Sequence, residues 1–138
     1  MILLPDDLRA GLRSNAQAHL TAQRSGAAEP DPVPVLKLFN PLSAATWLAT
    51  EIDSDGDTLF GLADLGFGCP ELGSFSLAEL TSVRLRYGLL IERDTGFRTP
   101  FALSVWTEWS RHAGSILWAE TLLRRVALAR GIPDPTGP

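Results

Sequence analysis

The sequence predicts an α+β domain: a small antiparallel sheet of three to five strands packed by an N-terminal helix and two C-terminal helices. Segments with the alternating pattern of β-strands follow one another in the middle of the chain, and helical patterns lie at both ends. Two of the strand segments are joined by a turn too short for the crossover that parallel strands need. We expect one domain over residues 1–116, followed by a helical extension and tail over 117–138.

The N-terminal segment Pro5–Gln23 is predicted to form a helix. Leu8 and Leu12 recur on one helical face, and the acidic residues at its start favour the positive end of the helix dipole. The prolines and the glycine of residues 25–34 cannot continue a helix, so this stretch is predicted to be a linker.

Five segments in the middle of the chain are predicted to be strands. The second and third are separated only by the polar turn Asp53–Asp57, which predicts a hairpin. The fourth is the shortest of the five. The predicted strands are Val33–Phe39, Thr46–Ile52, Thr58–Ala63, Leu72–Phe75 and Leu89–Arg93.

Two helices are predicted between the sheet and the C-terminal extension. Ser76 and Glu79 have the spacing of a capping box, which starts a short helix reaching about Val83. A second helix is predicted to begin at Pro100 and to end near Gly114. This second helix carries two tryptophans on one face, which is typical of a helix that packs on a core.

The final helix is predicted over Ile116–Arg130, capped by Ser115. Glu120 and Arg124 are spaced for an i,i+4 ion pair on its surface. Its apolar face predicts that it covers the domain or docks on a second copy as a homodimer. Residues 84–138 hold eight arginines against five acids, so a nucleic-acid-binding accessory protein stays open as an alternative.

Composition excludes several classes of protein. Cys69 is the only cysteine, so a disulfide-stapled secreted module is excluded. The net charge of −4 argues against a compact DNA-binding domain. The N-terminus lacks the pattern of a signal peptide and no apolar run reaches the length of a membrane span, so we expect a cytoplasmic protein that does not bind membranes.

The middle of the chain carries charge of one sign only. Residues 38–83 contain no lysine or arginine but seven carboxylates. Such a window can present an acidic surface to a basic partner, or it can be a folded sheet with solvated turns. The candidate partner-binding carboxylates are Glu51, Asp53, Asp55, Asp57, Asp64 and Glu71.

The acidic turn does not fit a calcium loop. Counting from Asp53, two more carboxylates fall at calcium-binding positions, but Thr58 stands where the turn glycine belongs. Asp64 stands where a bidentate Glu is required. The preferred interpretation is a solvated hairpin turn, and we expect no bound metal and no cofactor.

An enzyme is the main alternative to a binding protein. Asp64 and Glu71 flank a glycine-containing loop and could converge for acid–base work in a hydrolase or a metal-assisted enzyme. Cys69 has two histidines, His19 and His112, as possible partners, but nothing in the sequence places either beside it. The glycine spacing fits neither a P-loop nor a dinucleotide fingerprint. We therefore name no catalytic residue, and we favour the binding protein while the enzyme stays open as the alternative.

Six motifs follow one another from residue 34 to residue 94: Pro34–Pro41, Thr46–Glu51, Phe60–Leu62, Pro70–Gly73, Ser76–Leu80 and Leu89–Asp94. This ordered set resembles a bacterial domain-of-unknown-function family, number 2958, whose members are small proteins often found on plasmids and integrative elements. The resemblance covers Leu3 to Ile116, and the last helix extends beyond it. The motif residues that define a shared site or a shared core are Trp47, Phe60, Gly61, Pro70, Leu72 and Gly73.

The resemblance implies a role in element maintenance or in countering host defence, with no activity or catalytic residue to transfer. Together with the acidic window it favours a non-enzymatic binding or inhibitor protein, one version being a DNA mimic. The expected partner is another protein, such as a basic nucleic-acid enzyme.

Overall fold

The computed structural model describes residues 1–133. A long N-terminal helix precedes a four-strand meander, and three helices and one short strand follow it. A single 3₁₀ turn, Arg86–Gly88, lies between the second helix and the last strand. The elements are α1 Asp6–Ser25, β1 Leu36–Phe39, β2 Thr46–Ile52, β3 Thr58–Asp64, β4 Glu71–Ser76, α2 Leu77–Ser82, β5 Glu92–Arg93, α3 Leu103–Ala113 and α4 Ile116–Ala129.

The five strands form one antiparallel sheet in the order β4-β3-β2-β1-β5. Consecutive strands are neighbours from β1 to β4, as short turns require, and only β5 returns to pair with β1. β4 and β5 are therefore the two edges of the sheet. The α+β class and an antiparallel sheet packed by one N-terminal and two C-terminal helices are confirmed.

Side chains alternate between two hydrophobic clusters, one on each face of the sheet. Leu36 and Leu38 of β1 belong to the first cluster, together with Leu12 of α1 and Leu80 of α2. The second cluster joins the central strands to α3 and α4 through Leu48, Leu62, Trp106, Ile116 and Leu123. This two-sided packing explains why β2 is buried along nearly its whole length.

A β-bulge interrupts the pairing of β2 with β3. Ala49 stands opposite Gly61 and Glu51 stands opposite Phe60, so Thr50 is the extra residue. A Cβ atom on Gly61 would lie 1.8 Å from the carbonyl oxygen of Leu48, closer than any side chain can come. Only glycine fits this close approach of the two backbones.

Two buried polar groups attach the α3–α4 layer to the sheet. The carboxylate of Asp64 accepts hydrogen bonds from the backbone N–H of Gly66 at 2.8 Å and from that of Ile116, the first residue of α4, at 2.9 Å. Lys37, the only lysine, reaches from β1 to α4, where its Nζ lies 3.0 Å from a carboxylate oxygen of Glu120. The same Nζ lies 3.4 Å from Asp94. These bonds hold α4 against the sheet.

Several details of the elements differ from the sequence-based expectations. β1 begins at Leu36, and the last strand has only two residues, because residues 89–91 make no ladder. The first of the two C-terminal helices, α3, begins at Leu103, not at Pro100. Glu120 bonds to Lys37, so the expected pair with Arg124 is wrong: a buried cation attracts a carboxylate more strongly than an exposed neighbour does.

The final helix lies on α3 and contributes four buried residues, Ile116, Ala119, Leu123 and Ala127. The proposed division after residue 116 stays a prediction, and its tail, 134–138, lies outside the described residues. None of the helices in residues 1–133 combines the length and apolarity that crossing a membrane requires.

Replacing Gly61 with alanine is expected to lower the free energy of unfolding by about 3 kcal/mol or more, because the new methyl group collides with the backbone of β2. Urea denaturation measures the loss. Gly73→Ala on β4 is the matched control, since nothing lies within 4 Å of its Cβ position. Equal stability of the two variants would contradict the close approach.

Replacing Lys37 with methionine is expected to cost about 3 kcal/mol, because Glu120 and Asp94 then lose their shared cation. The double variant Lys37→Met/Glu120→Gln is expected to recover at least half of that loss. Thermal and urea unfolding of both variants measure the difference. A Lys37→Met variant as stable as the parent protein would show that the ion pair does not hold α4.

Candidate functional site

A groove lies between the second half of α1 and the end of the β2–β3 hairpin. Its volume is about 180 Å³, and we call it the acidic groove. Two carboxylates and a histidine are its ionisable groups, and no lysine or arginine lines it among the described residues. It is lined by Ala16, His19, Leu20, Glu51, Ile52, Asp53, Thr58, Phe60 and Ser74.

The β-bulge builds this groove by joining α1 to β2. The side-chain amide of Asn15 donates to the carbonyl oxygen of the bulged residue Thr50 at 2.9 Å. One helical turn later on the same face, His19 Nδ1 lies 3.5 Å from the carboxylate of Glu51. The extra residue thus leaves a free carbonyl for α1 and places the next carboxylate beside the helix.

His19 lies between two carboxylates. Its other ring nitrogen, Nε2, is 3.7 Å from the carboxylate of Glu29 in the segment after α1. The side chain of Glu51 is 17% exposed, whereas that of Glu29 is 70% exposed. The groove itself is lined by one histidine and two carboxylates, Glu51 and Asp53, so its wall is negative whether or not the imidazole is charged.

Apolar surface is exposed beside these charges. Phe60 is 38% exposed and Leu20 is 42% exposed, although both are large hydrophobic side chains. Phe60 lies on β3 opposite Glu51, and Leu20 follows His19 on α1. Carboxylates next to an aromatic and an aliphatic surface form an environment that suits a basic side chain, whose stem is apolar and whose head is charged.

The acidic turn next to the groove is held by its own carboxylates. Asp55 accepts from the backbone N–H groups of Asp57 and Thr58, each at 2.8 Å, and from the hydroxyl of Thr58 at 2.6 Å. The Thr58 hydroxyl, followed by the two backbone N–H groups, holds the pKa of Asp55 below its usual value of 3.8. Asp55 is exposed, yet its oxygens are directed into the turn.

Asp57 joins the hairpin to α2. Its carboxylate accepts from the hydroxyl of Ser76 and from the backbone N–H of Ala78, both at 2.7 Å. Ser76 in turn accepts from the N–H of Glu79, which confirms the N-cap half of the predicted capping box. Asp57 therefore has a structural role, and Asp53 is the turn carboxylate that lines the groove.

The structure does not bring Asp64 and Glu71 into one site. Glu71 stands opposite Ala63, so its side chain lies on the face of Ala63, whereas that of the next residue, Asp64, lies on the opposite face. Asp64 is fully buried and hydrogen-bonded to two backbone amides, while Glu71 is exposed. Paired acid–base catalysis by these two carboxylates has no geometric basis.

The six family-motif residues divide into core and surface. Trp47 and Pro70 are buried, and Gly61 is the close-approach glycine of the bulge. Phe60 lines the acidic groove, while Leu72 is 43% exposed on the edge strand next to Gly73. Three of the six residues thus belong to the core, and only Phe60 belongs to the groove.

The other reactive residues do not assemble into a site in residues 1–133. Cys69 is exposed, and its Sγ contacts a carbonyl oxygen of its own loop. His112 is exposed near the end of α3. No group of three or more His, Cys, Asp and Glu side chains in these residues is arranged to hold a metal ion. The arginines after residue 83 are spread over the 3₁₀ turn, β5, α3, α4 and the loops.

Sequence reasoning missed Asn15, His19 and Leu20 as parts of the site. The i,i+4 spacing of Asn15 and His19 on a helix was available as a signal, but their contacts depend on the bulge. A bulge is not visible in an alternating apolar pattern, because Thr50 reads as an ordinary strand residue.

Comparison with protein families gives one match, the family described as "Protein of unknown function (DUF2958)", whose model covers residues 3–117. The chain belongs to this family. Comparison with curated proteins and with solved structures gives no match. All of the groove lies within the matched residues, whereas nearly all of α4 lies beyond them.

Removing the Thr58 hydroxyl is expected to raise the pKa of Asp55 towards 3.8, because that hydroxyl makes the largest contribution to the lowering. NMR titration of the Asp55 carboxyl in Thr58→Val measures the change. An unchanged pKa would show that the hydroxyl does not hold the ionised carboxylate.

The lowered pKa also predicts how stability changes with pH. A depressed folded-state pKa adds stability that is present above the unfolded value and is lost as the pH falls through the folded one. Asp55→Asn is therefore expected to be less stable than the parent near about pH 6, with the difference shrinking as the pH falls below about 3.8. Urea unfolding at several pH values tests this, and a difference independent of pH would contradict it.

Proposed function

We propose that this protein is a non-enzymatic binding protein whose acidic groove receives a basic side chain from a partner macromolecule. One observation carries the proposal: Glu51 and Asp53 share a groove with the exposed ring of Phe60, and no described lysine or arginine lines it. Carboxylates bind guanidinium groups through strong charge-assisted hydrogen bonds. The neighbouring ring adds a face for the cation.

The rigidity of the acidic groove supports a binding role for its carboxylates rather than mere exposure to solvent. Asp55 and Asp57 hold the turn, and Asn15 holds α1 against the bulge. A partner that enters a preformed site loses less conformational entropy on binding than one that must order a loop. The carboxylates of Glu51 and Asp53 are therefore already placed before the partner arrives.

The base-free segment indicates the kind of partner. Residues 38–83 contain no lysine or arginine. Arg9 of α1 donates to the carbonyl oxygen of Gly56 in the hairpin turn at 2.8 Å, but it does not line the groove, so the groove carboxylates have no lysine or arginine of this chain among their lining residues. A protein with an arginine-rich or lysine-rich surface, such as a nucleic-acid enzyme of host defence or element maintenance, is the partner we propose. Inhibition of that enzyme is the proposed outcome of binding.

The decisive variant is Glu51→Gln/Asp53→Asn, which removes both groove charges while leaving the structural carboxylates intact. The tagged protein and this variant are used to capture partners from the host, with identification by mass spectrometry. We expect a basic protein to bind the parent and to lose at least about tenfold in affinity for the variant, which corresponds to about 1.4 kcal/mol.

Glu71→Gln/Glu79→Gln is the matched control, since it removes the same number of charges from exposed positions outside the groove. It is expected to keep the partner. Equal loss in both double variants would show that net charge, not the groove, attracts the partner. Retention by the groove variant would overturn the proposed function.

A further inference from the structure

A second cavity lies between the loop 97–101 and α4, on the face of the sheet opposite to α1 and α2. Its volume is about 250 Å³. Aromatic and aliphatic side chains form most of its walls, in particular Phe97, Phe101, Trp106 and Leu123. None of the six family-motif residues and none of the acidic-groove residues lines it.

The aromatic wall is preformed. The indole N–H of Trp106 donates to the hydroxyl of Thr99 at 3.1 Å, and the ring of Phe97 lies 6.1 Å from that of Trp106 in a tilted arrangement. Trp106 is buried, so its ring has one fixed position. The cavity therefore does not depend on a ligand to order its walls, and its interior polar N–H is already satisfied.

Three charged residues line the cavity, and only one of them has an ion-pair partner. Glu120 is bonded through both carboxylate oxygens to Lys37, at 3.1 and 3.0 Å. Arg98 and Arg124 also line the cavity, are exposed, and have no described carboxylate within 4.0 Å. Because the carboxylate of Glu120 is already paired, the two arginines give this cavity a net positive charge.

We infer that this cavity is a binding site for a small amphipathic carboxylate, with the apolar body between the aromatic wall and α4 and the carboxylate at Arg98 and Arg124. Guanidinium groups match carboxylates in shape as well as in charge. An apolar cavity of about 150 Å³ takes up benzene, so 250 Å³ accommodates a body of about eight to ten carbon atoms. Aliphatic and aromatic acids of that size share the required chemistry.

Octanoate is a suitable probe, and octanol and octylamine are its neutral and cationic counterparts. Titration calorimetry at neutral pH measures the binding of each probe to the 138-residue protein. We expect octanoate to bind at least about tenfold more tightly than octanol, and octylamine to bind most weakly. Comparing the affinity for phenylbutyrate with that for octanoate shows whether the cavity prefers an aromatic or an aliphatic body.

Two double variants test the arginines. Arg98→Ala/Arg124→Ala is expected to reduce octanoate affinity to that of octanol, while Arg111→Ala/Arg125→Ala removes two exposed arginines that do not line the cavity and is expected to change nothing. The inference is overturned if octanol binds as well as octanoate, if no probe binds, or if both double variants lose affinity equally.

Discussion

The β-bulge at Thr50 is the constraint on which the architecture and the acidic groove both depend. It brings two backbones so close that only glycine fits at position 61, and it turns the Thr50 carbonyl towards the amide of Asn15. Because α1 is anchored there, its next turn places His19 beside Glu51. A bulge costs ladder hydrogen bonds, and here the lost pairing is offset by a helix–strand contact that forms one wall of a groove.

Buried polar bonds connect the layers of the fold in the same way. The carboxylate of Asp64, the last residue of β3, accepts a hydrogen bond from the first backbone N–H of α4. The ammonium group of Lys37 on β1 donates to the carboxylate of Glu120 on the same helix. Hydrophobic burial alone would allow α4 to slide along α3, since apolar contacts are non-directional. The charged and hydrogen-bonded pairs select one position, which in turn shapes the aromatic cavity beside Glu120.

Local patterns in the sequence predict the elements well and the site poorly. The strand-forming residues of Thr46–Ile52 and the Ser76 capping pattern identify β2 and α2, because strand propensity and N-caps depend on near neighbours. The pairing of Glu120 with Lys37, 83 positions away, overrides the local i,i+4 pattern with Arg124. Likewise the acidic window is visible in the sequence. Its division into structural carboxylates (Asp55, Asp57 and Asp64) and groove carboxylates (Glu51 and Asp53) depends on hydrogen bonds that only the fold creates.

A groove that the bulge builds to receive a basic side chain must bind an isolated guanidinium group. The most direct measurement is an NMR titration of the ¹⁵N-labelled protein with N-acetyl-arginine methylamide, followed by the same titration with its uncharged analogue N-acetyl-citrulline methylamide. We expect saturable amide shifts confined to the groove, at His19, Leu20, Glu51, Asp53 and Phe60, that appear with the arginine probe only. Shifts spread over all exposed carboxylates, or equal shifts with the uncharged probe, would contradict it.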